Sequence, residues 1–341
     1  MARFVLSRRK VLSQYSSVKR IADLVSYSLK TNPEVGMVLE RETDCLFSIS
    51  SPSHIKLVKD KGRIIFFAQG WKPYEIRRLL KIGIRKFTVD NQADLETLKG
   101  VMKGRPERVW LFLRMKLKEN TIHTGKHFVF GMSAERVNEN VLKLANEEWI
   151  EKLGVHFHRK TQNISEWRLQ DEISESLSED ALKVISVMNI GGGLPSVYKN
   201  SRPEIRSIMG SIDNFRKWLA RLGISMIVEP GRFIAAPSVR LEAIVKNVYD
   251  ENLIIDCSVY NSAMDTFIMN TRLMVEGELK EGEGRRYVIK GCTPDSIDIF
   301  RYSVWLKEVK VGQKIVFLNA GAYNFASDFD GLKKLKTIVE D

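Results

Sequence analysis

The stretch VISVMNIGGGLP, Val184–Pro195, joins an apolar run of strand length to three consecutive glycines. Residues without Cβ let a backbone turn sharply and approach a neighbouring group closely. The N–H groups of Gly191, Gly192 and Gly193 could cradle a phosphate, although a flexible connection without a ligand would use the same residues. The stretch therefore predicts a buried strand that ends at a candidate anion-binding turn.

Similar apolar runs stand on both sides of this stretch, and helical patterns separate most of them. With Val184–Ile190, the predicted strands are Val25–Lys30, Cys45–Ser50, Ile64–Ala68, Lys86–Asp90, Arg108–Met115, Gly154–His158 and Ile224–Glu229. The clearest helical patterns cover Pro73–Ile82, a long segment around Ala134–Leu153, and Ser211–Leu222. Such alternation is typical of a parallel sheet in an α/β protein. Eight units within about 210 residues favour a closed (β/α)8 barrel over an open doubly wound sheet.

The texture of the sequence changes after Pro237, where strand-like runs follow one another with short turns. This pattern predicts an antiparallel β domain. A short strand near Phe4, at the N-terminal end of the chain, is expected to join it. The predicted division is residues 1–24 as an N-terminal strand and helix, 25–235 as the barrel, and 236–341 as the β domain.

Composition narrows the function classes. With 44% hydrophobic residues among 341, the chain can build a full core, and no apolar run approaches the length of a bilayer span, so no membrane partner is predicted. Three cysteines, few and far apart, fit a reducing cytoplasm. The net charge of +12 is spread over scattered basic residues without a nucleic-acid motif, which favours a solvated basic surface over a nucleic-acid partner.

In a barrel of this kind, chemistry is found where strands end. The predicted strand ends carry Lys30, Arg114, His158, the glycine trio and Glu229. A lysine can form a Schiff base with a carbonyl, a carboxylate can hold a pyridine nitrogen protonated, and a histidine ring can stack on a flat heterocycle. Together with a phosphate-type turn, these groups predict pyridoxal 5′-phosphate as the cofactor.

Simpler interpretations exist for each of these residues. A lysine at a strand end is often a solvated rim residue, and a Glu229–Arg232 pair could be an ordinary surface pair. His156 and His158 alternate onto one face of a strand, which makes a metal pair conceivable. The remaining histidines form no recognisable metal-ligand motif, so no metal is predicted.

Over most of its length the sequence resembles the pyridoxal-phosphate-dependent ornithine/diaminopimelate/arginine decarboxylase family, which has the alanine-racemase-like fold. The matching segments, in chain order, are YSLKTNP at Tyr27–Pro33, LRM at Leu113–Met115, KHFVFGM at Lys126–Met132, GVHFH at Gly154–His158, GGGLP at Gly191–Pro195, EPGR at Glu229–Arg232, GCTPDSID at Gly291–Asp298 and GAYNFASDFDG at Gly321–Gly331. Their order and spacing make the resemblance specific.

The resemblance implies a role for each matching residue. Lys30 would hold the cofactor as a Schiff base, Glu229 would pair with its pyridine nitrogen, and His158 would stack on its ring. The other residues implied to bind the cofactor, most of them near its phosphate, are Arg114, Gly191, Gly192, Gly193, Gly231, Arg232 and Tyr323. Asp295 would receive a distal amine of the substrate, with Tyr323 beside it.

The family also implies a homodimer in which the GCTPDSID segment of one chain completes the site of its partner. Here Pro294 occupies the position of the family's cysteine, and Cys292 stands two residues earlier. Along an extended segment this moves the side chain by roughly 6–7 Å. The shift favours another group as the acid that protonates Cα, while a bulged loop would keep Cys292 in that role.

Asp295 aligns with the acidic residue of the ornithine and lysine enzymes, whereas TPDS does not match the Cys-Glu-Ser typical of diaminopimelate enzymes. The resemblance therefore favours decarboxylation of ornithine or lysine to a diamine for polyamine synthesis. Diaminopimelate, arginine and carboxynorspermidine remain alternatives. A cofactor-binding or regulatory relative without turnover is the alternative of another class, and the presence of Lys30, Glu229 and Arg232 favours the enzyme.

Overall fold

A closed barrel of eight parallel strands forms the centre of the molecule, in a computed structural model that describes residues 1–117 and 130–341. The chain begins with β1 (Arg3–Ser7) outside the barrel. The barrel strands are β2 (Leu24–Ser28), β3 (Leu46–Ile49), β4 (Ile64–Phe67), β5 (Lys86–Val89), β6 (Val109–Arg114), β7 (Ile150–His156), β8 (Val187–Asn189) and β9 (Ser225–Val228). Strand β9 pairs with β2 and closes the ring. The predicted (β/α)8 barrel is therefore confirmed.

Helices lie between most of these strands. They are α1 (Arg8–Lys19), α2 (Pro33–Glu42), α3 (Pro52–Ile55), α4 (Pro73–Lys81), α5 (Gln92–Met102), α6 (Ala134–Leu144), α7 (Leu169–Ser176), α8 (Glu179–Val184), α9 (Ile205–Arg221), α10 (Arg232–Ser238), α11 (Val259–Ser262) and α12 (Asp265–Ile268). The local sequence explains where α2 begins. The Asn32 side chain accepts from the backbone N–H groups of residues 34 and 35, and Pro33 occupies the first turn of α2.

The barrel interior is a small apolar cluster of Ile65, Phe112, Val187 and Ile227, one residue from each of four strands. Alternate residues of the same strands face outward and pack against the helices. In α4, for example, Ile76, Leu79 and Leu80 recur at helical spacing and are buried. The strand ends are thus held between two apolar layers, which fixes the side chains that project from them.

A mixed sheet follows the barrel. Its strands are β10 (Val239–Tyr249), β11 (Asn252–Ile255), β12 (Met274–Val275), β13 (Arg285–Lys290), β14 (Ile299–Leu306), β15 (Lys314–Leu318) and β16 (Thr337–Glu340). Strand β1 pairs antiparallel with β10, as predicted for the N-terminal strand. Two pairings, β1 with β16 and β11 with β13, are parallel. The predicted C-terminal β domain is therefore confirmed, with most of its pairings antiparallel and two parallel ones where long connections let the chain return in the same direction.

One predicted boundary differs from the structure. The helix expected to reach Leu153 ends at Leu144, because Ile150 pairs with Val109 and starts β7 earlier than its sequence pattern suggests. Helix α10 crosses residue 236, so the division of the chain at that point stays a prediction. Across the two described ranges, no helix is both long enough and apolar enough to span a bilayer.

Candidate active site

Lys30 lies on a short 3₁₀ turn, Leu29–Thr31, that follows β2. Both residues after it are bound by the mixed-sheet region. The N–H of Tyr323 donates to the Thr31 carbonyl at 3.0 Å, and the Asn32 amide donates to the Gly321 carbonyl at 2.9 Å. The turn is therefore fixed from two sides while the lysine side chain stays exposed.

The carboxyl ends of the barrel strands enclose a cavity of about 290 Å³. Four residues predicted from the sequence line it together, namely Lys30, Arg114, His158 and Glu229. A second cavity of about 230 Å³ shares the first three of these and adds Tyr323. The strand ends thus bring the predicted amine, carboxylate and imidazole to one place.

Glu229, directly after β9, is buried and held by three neighbours. Its Oε1 accepts from Ser48 Oγ at 2.7 Å and from the Asn189 amide at 2.8 Å. Its Oε2 lies 3.5 Å from His156 Nε2. Burial acts to raise the pKa of Glu229, but the contacts with His156, Ser48 and Asn189 outweigh it, so the pKa lies below its ordinary value. The carboxylate is therefore ionised in its buried position.

His158 presents one face of its ring to the cavity. The N–H of Gly192 donates to its Nδ1 at 3.1 Å, which places the ring proton on Nε2. The protein packed around the ring and the neighbouring His156 lower the pKa of His158, so the imidazole is neutral. A neutral ring with a fixed plane is suited to stacking on a flat heterocycle.

The glycine trio allows three close approaches. An added Cβ would lie 2.3 Å from the Phe157 carbonyl oxygen at Gly191, and 2.8 Å from the Glu229 carbonyl oxygen at Gly192. Gly191 and Gly193 also have φ of +63° and +100°. Two of the three N–H groups already donate within the protein, to Asn189 and His158. The prediction that the trio binds the cofactor stays a prediction, and the N–H groups of Gly191 and Gly192 would have to exchange these acceptors to bind a phosphate.

Arg232 is almost completely buried, at 2% exposed, and it pairs with a carboxylate that the sequence did not reveal. Its Nη2 donates to Asp265 Oδ1 at 3.0 Å, its Nη1 to the Tyr198 hydroxyl at 2.7 Å, and its Nε to Thr161 Oγ1 at 3.0 Å. The guanidinium also lies 5.1 Å from the centre of the Tyr323 ring. Arg232 thus ties the barrel to α12 and holds the hydroxyl groups of Tyr198 and Thr161.

Gly231 precedes Arg232 and occupies a position where only glycine fits. A Cβ at this position would lie 2.2 Å from Thr31 Oγ1, on the turn that carries Lys30. The close approach brings the EPGR segment against the lysine turn. Two predicted segments that are 200 residues apart in the sequence therefore meet at a point where no side chain fits.

Arg114 lies at the end of β6 and pairs with Asp90, which follows β5, at 3.1 Å. Asp90 ends a predicted strand but was not predicted to be a site residue. Ser48 and Asn189 were missed in the same way, and His156 was considered only as one half of a possible metal pair. Each stands at or near the carboxyl end of a barrel strand, so position along the strand was the signal that could have identified them.

Cys292 and Asp295 do not line either cavity of their own chain. The N–H of Cys292 donates to the Cys257 carbonyl at 3.0 Å, and Asp295 Oδ1 accepts from the N–H of Ile297 at 2.9 Å. Buried Asp298 holds the loop by accepting from Thr293 Oγ1 at 2.7 Å. Burial raises the pKa of Cys292, so the thiol is protonated. In the KHFVFGM segment, residues 126–129 lie outside the described residues.

Pyridoxal 5′-phosphate fits the polar groups of this site. Several buried polar atoms have no hydrogen-bond partner within the described residues, and those on cavity-lining residues are Thr88 Oγ1, Arg114 Nε, His156 Nδ1 and His156 Nε2. The amine of Lys30, the ionised Glu229 and the neutral His158 match the aldehyde, ring nitrogen and ring face of the cofactor. Thr161 and Tyr323 offer hydroxyl groups on the opposite side.

A group of residues at this cavity has the donor atoms that a metal ion could use. The ligand atoms of His156, His158 and Glu229 lie within 4.8 Å of one another, and His156 Nε2 lies 3.5 Å from Glu229 Oε2. Ligands of tetrahedral zinc at bond lengths near 2.1 Å are about 3.4 Å apart. The prediction that the site holds no metal therefore stays a prediction.

A parallel barrel with a mixed sheet, a turn-borne lysine and an ionised carboxylate at its mouth defines the pyridoxal-phosphate enzymes with the alanine-racemase-like fold. The family model of the pyridoxal-binding domain of pyridoxal-dependent decarboxylases matches residues 8–236. The chain belongs to this family and is a pyridoxal-phosphate-dependent decarboxylase.

Relatives with different substrates resemble the chain to a similar degree. Diaminopimelate decarboxylase of Helicobacter pylori is 24% identical over 356 residues, which cover 96% of this chain and 86% of the relative. The lysine/ornithine decarboxylase of Vibrio vulnificus complexed with putrescine superposes with a TM-score of 0.78 at 24% identity, covering 100% of this chain and 94% of that one. Diaminopimelate decarboxylase of H. pylori complexed with L-lysine gives a TM-score of 0.84 at 21% identity, covering 100% and 92%.

Proposed function

We propose that the protein decarboxylates a basic α-amino acid with a distal amine, ornithine or lysine, and releases a diamine for polyamine synthesis. The observation that carries the decarboxylase chemistry is the convergence of Lys30, His158 and Glu229 on one cavity. Asp295 in the GCTPDSID segment supports the choice of a substrate with a distal amine. Diaminopimelate is the second candidate, because a diaminopimelate decarboxylase matches 96% of the chain.

Each residue has a defined task in this proposal. Lys30 would hold the cofactor through its amine, which can form a Schiff base with an aldehyde. Glu229 holds a proton at the pyridine nitrogen, and His158 supports one face of the ring. When bound, pyridoxal phosphate supplies the electron sink that lets the bond between Cα and the carboxylate break. The Arg114–Asp90 pair keeps a cation and an anion at the cavity wall.

The proposed assembly is a homodimer in which Asp295 and Cys292 of one chain reach the cavity of the other. Two features support it. Neither residue lines either of the two cavities described above, which are formed by the described part of the chain. Beside Asp295 is an aromatic group in which Tyr260 stacks on Phe329 at 4.1 Å between ring centres, and Phe329 is 46% exposed. An exposed aromatic stack next to a candidate substrate residue is typical of an interface.

A panel assay of CO2 release tests the substrate. The purified holoenzyme is given ornithine, lysine, diaminopimelate, arginine and carboxynorspermidine separately, with Lys30→Ala as the inactive control. Turnover of ornithine or lysine at the highest kcat/KM supports the proposal. A clear preference for diaminopimelate supports the second candidate, and no release from any of them supports the relative without turnover.

Mixed dimers test the shared site. Lys30→Ala and Asp295→Ala chains are each expected to have little activity on a diamino acid at low substrate concentration. After mixing and exchange of subunits, one of the two sites in a mixed dimer combines a wild-type Lys30 with a wild-type Asp295 of the partner. About a quarter of wild-type activity is then expected, whereas no recovery would show that each chain completes its own site.

A further inference from the structure

His156 is a buried imidazole for which the proposed function has no task. It stands at the end of β7, is 0% exposed, and lines the cavity. Its ring is fixed by Phe67, edge-on at 5.1 Å between ring centres, and by His158, nearly parallel at 6.4 Å. Neither of its nitrogens has a hydrogen-bond partner within the described residues. A buried and unpartnered imidazole is costly unless it serves a neighbouring group.

The group next to His156 is Oε2 of Glu229, the carboxylate oxygen that Ser48 and Asn189 do not contact. Two neutral donors, Ser48 and Asn189, occupy Oε1 at 2.7 and 2.8 Å. Oε2 faces His156 Nε2 at 3.5 Å, slightly beyond an ordinary hydrogen bond. Ser48 and Asn189 therefore set the plane of the carboxylate, and His156 is the group that approaches its second oxygen from the protein.

The charge state of His156 decides what it contributes. Burial lowers the pKa of His156 more than Glu229 raises it, so the imidazole is neutral and carries one N–H. A carboxylate at Oε2 favours the tautomer with that proton on Nε2. An N–H dipole aimed at a buried carboxylate stabilises its ionised form. Without the N–H of His156, burial would raise the pKa of Glu229 and favour its protonated form.

We propose that His156 is a positioning residue that keeps Glu229 ionised and aimed at the ring nitrogen of the cofactor. The inference rests on the proposed pairing of Glu229 with that nitrogen. His156 touches the carboxylate and not the reacting atoms, so its effect reaches the reaction through the proton that Glu229 holds on the ring. Its loss is expected to lower turnover about 3- to 10-fold, the range for an ordinary hydrogen bond, because the 3.5 Å contact is longer than a charge-assisted one.

The most direct test measures the protonation state of the pyridine nitrogen of the cofactor. Holoenzyme is reconstituted with pyridoxal phosphate labelled with 15N in the ring, and its resonance is recorded at neutral pH for the wild type, His156→Phe, His156→Gln and Glu229→Gln. The phenylalanine keeps the ring shape and loses the N–H, whereas the glutamine places an amide N–H near the position of Nε2. His54→Phe, on α3 and away from the cavities, is the matched control.

We expect His156→Phe to move the resonance from the protonated toward the unprotonated position by at least half of the displacement in Glu229→Gln. His156→Gln and His54→Phe should stay near the wild type. If Glu229→Gln moves the resonance and His156→Phe does not, the inference fails while the proposed role of Glu229 stands. If Glu229→Gln leaves it in place, the proposed role itself fails.

Displacement in both His156→Phe and His156→Gln would also overturn the inference, because it would assign the effect to the shape of the imidazole rather than to its N–H. Each variant is first checked for cooperative urea unfolding. His156→Leu replaces the phenylalanine variant if that chain does not fold, and the same comparison with His156→Gln then applies.

Discussion

Replacing Asp265 with alanine removes the counter-ion of a buried arginine and leaves its charge in the protein interior. Arg232 is 2% exposed and Asp265 is 5% exposed, so water cannot replace the lost carboxylate without opening the structure. Tyr198 and Thr161 remain as neutral partners of the guanidinium. Burial raises the pKa of Tyr198 to about 12, so its hydroxyl cannot supply the missing negative charge at neutral pH.

The expected loss of unfolding free energy is about 3–5 kcal/mol, the usual cost of breaking a buried ion pair by removing one partner. The measurement is urea unfolding of the protein without cofactor, followed by circular dichroism. The double variant Arg232→Met with Asp265→Leu removes both charges and should recover most of the loss. Comparison of the single and double variants separates the cost of the unpaired charge from the cost of lost packing.

Asp180→Ala is the matched control, because it removes the partner of Lys183 in a pair whose side chains are 70% and 75% exposed. That change should leave the free energy of unfolding close to that of the wild type, because solvent screens the pair. A loss below about 1 kcal/mol for Asp265→Ala would refute the reasoning, since the pair would then behave as if water screened it. A double variant as unstable as the single one would also refute it.

Three further outcomes are expected. Lys30→Ala should lose the cofactor adduct that borohydride traps, and peptide mass spectrometry that finds the adduct on another lysine would reject the assignment. Although burial acts to raise the pKa of Glu242, three basic neighbours lower it to about 2. This stabilisation is present above about pH 4.5 and lost as the pH falls toward 2, so urea unfolding of Glu242→Gln should show a flatter pH dependence there. Cys292→Ser should keep most decarboxylation, and pyridoxamine phosphate among its products would show that Cys292 is the acid.

The barrel could be predicted because each strand carries its own signal. A strand such as β4, IIFF, is continuously apolar and is followed by a glycine three residues after its end, which marks it without knowledge of its neighbours. The end of α6 could not be predicted in this way. Residues from Ala134 to Leu153 keep a helical pattern, and only the pairing of Ile150 with Val109 turns the last of them into strand.

The site residues also fall into those with a local sequence signal and those without one. Lys30 and Glu229 could be identified because they end strands within short, recognisable segments. Asp265 could not, because its partner Arg232 stands 33 residues away and the two meet only through folding. The proposed role of His156 could not be predicted either, because it depends on a contact with Oε2 of Glu229 that forms only in the folded chain. Residues that act on other residues leave no local pattern in a single sequence.

The turn that carries Lys30 depends on residues from the far end of the chain. Asn32 donates to the carbonyl of Gly321, 289 positions later, and Thr31 accepts from Tyr323. Likewise, β1 pairs with β16. During synthesis the barrel residues leave the ribosome long before these partners exist. We therefore expect a nascent chain to hold an unfinished lysine turn, so that the reactive amine takes its final position only after Gly321 and Tyr323 have been synthesised.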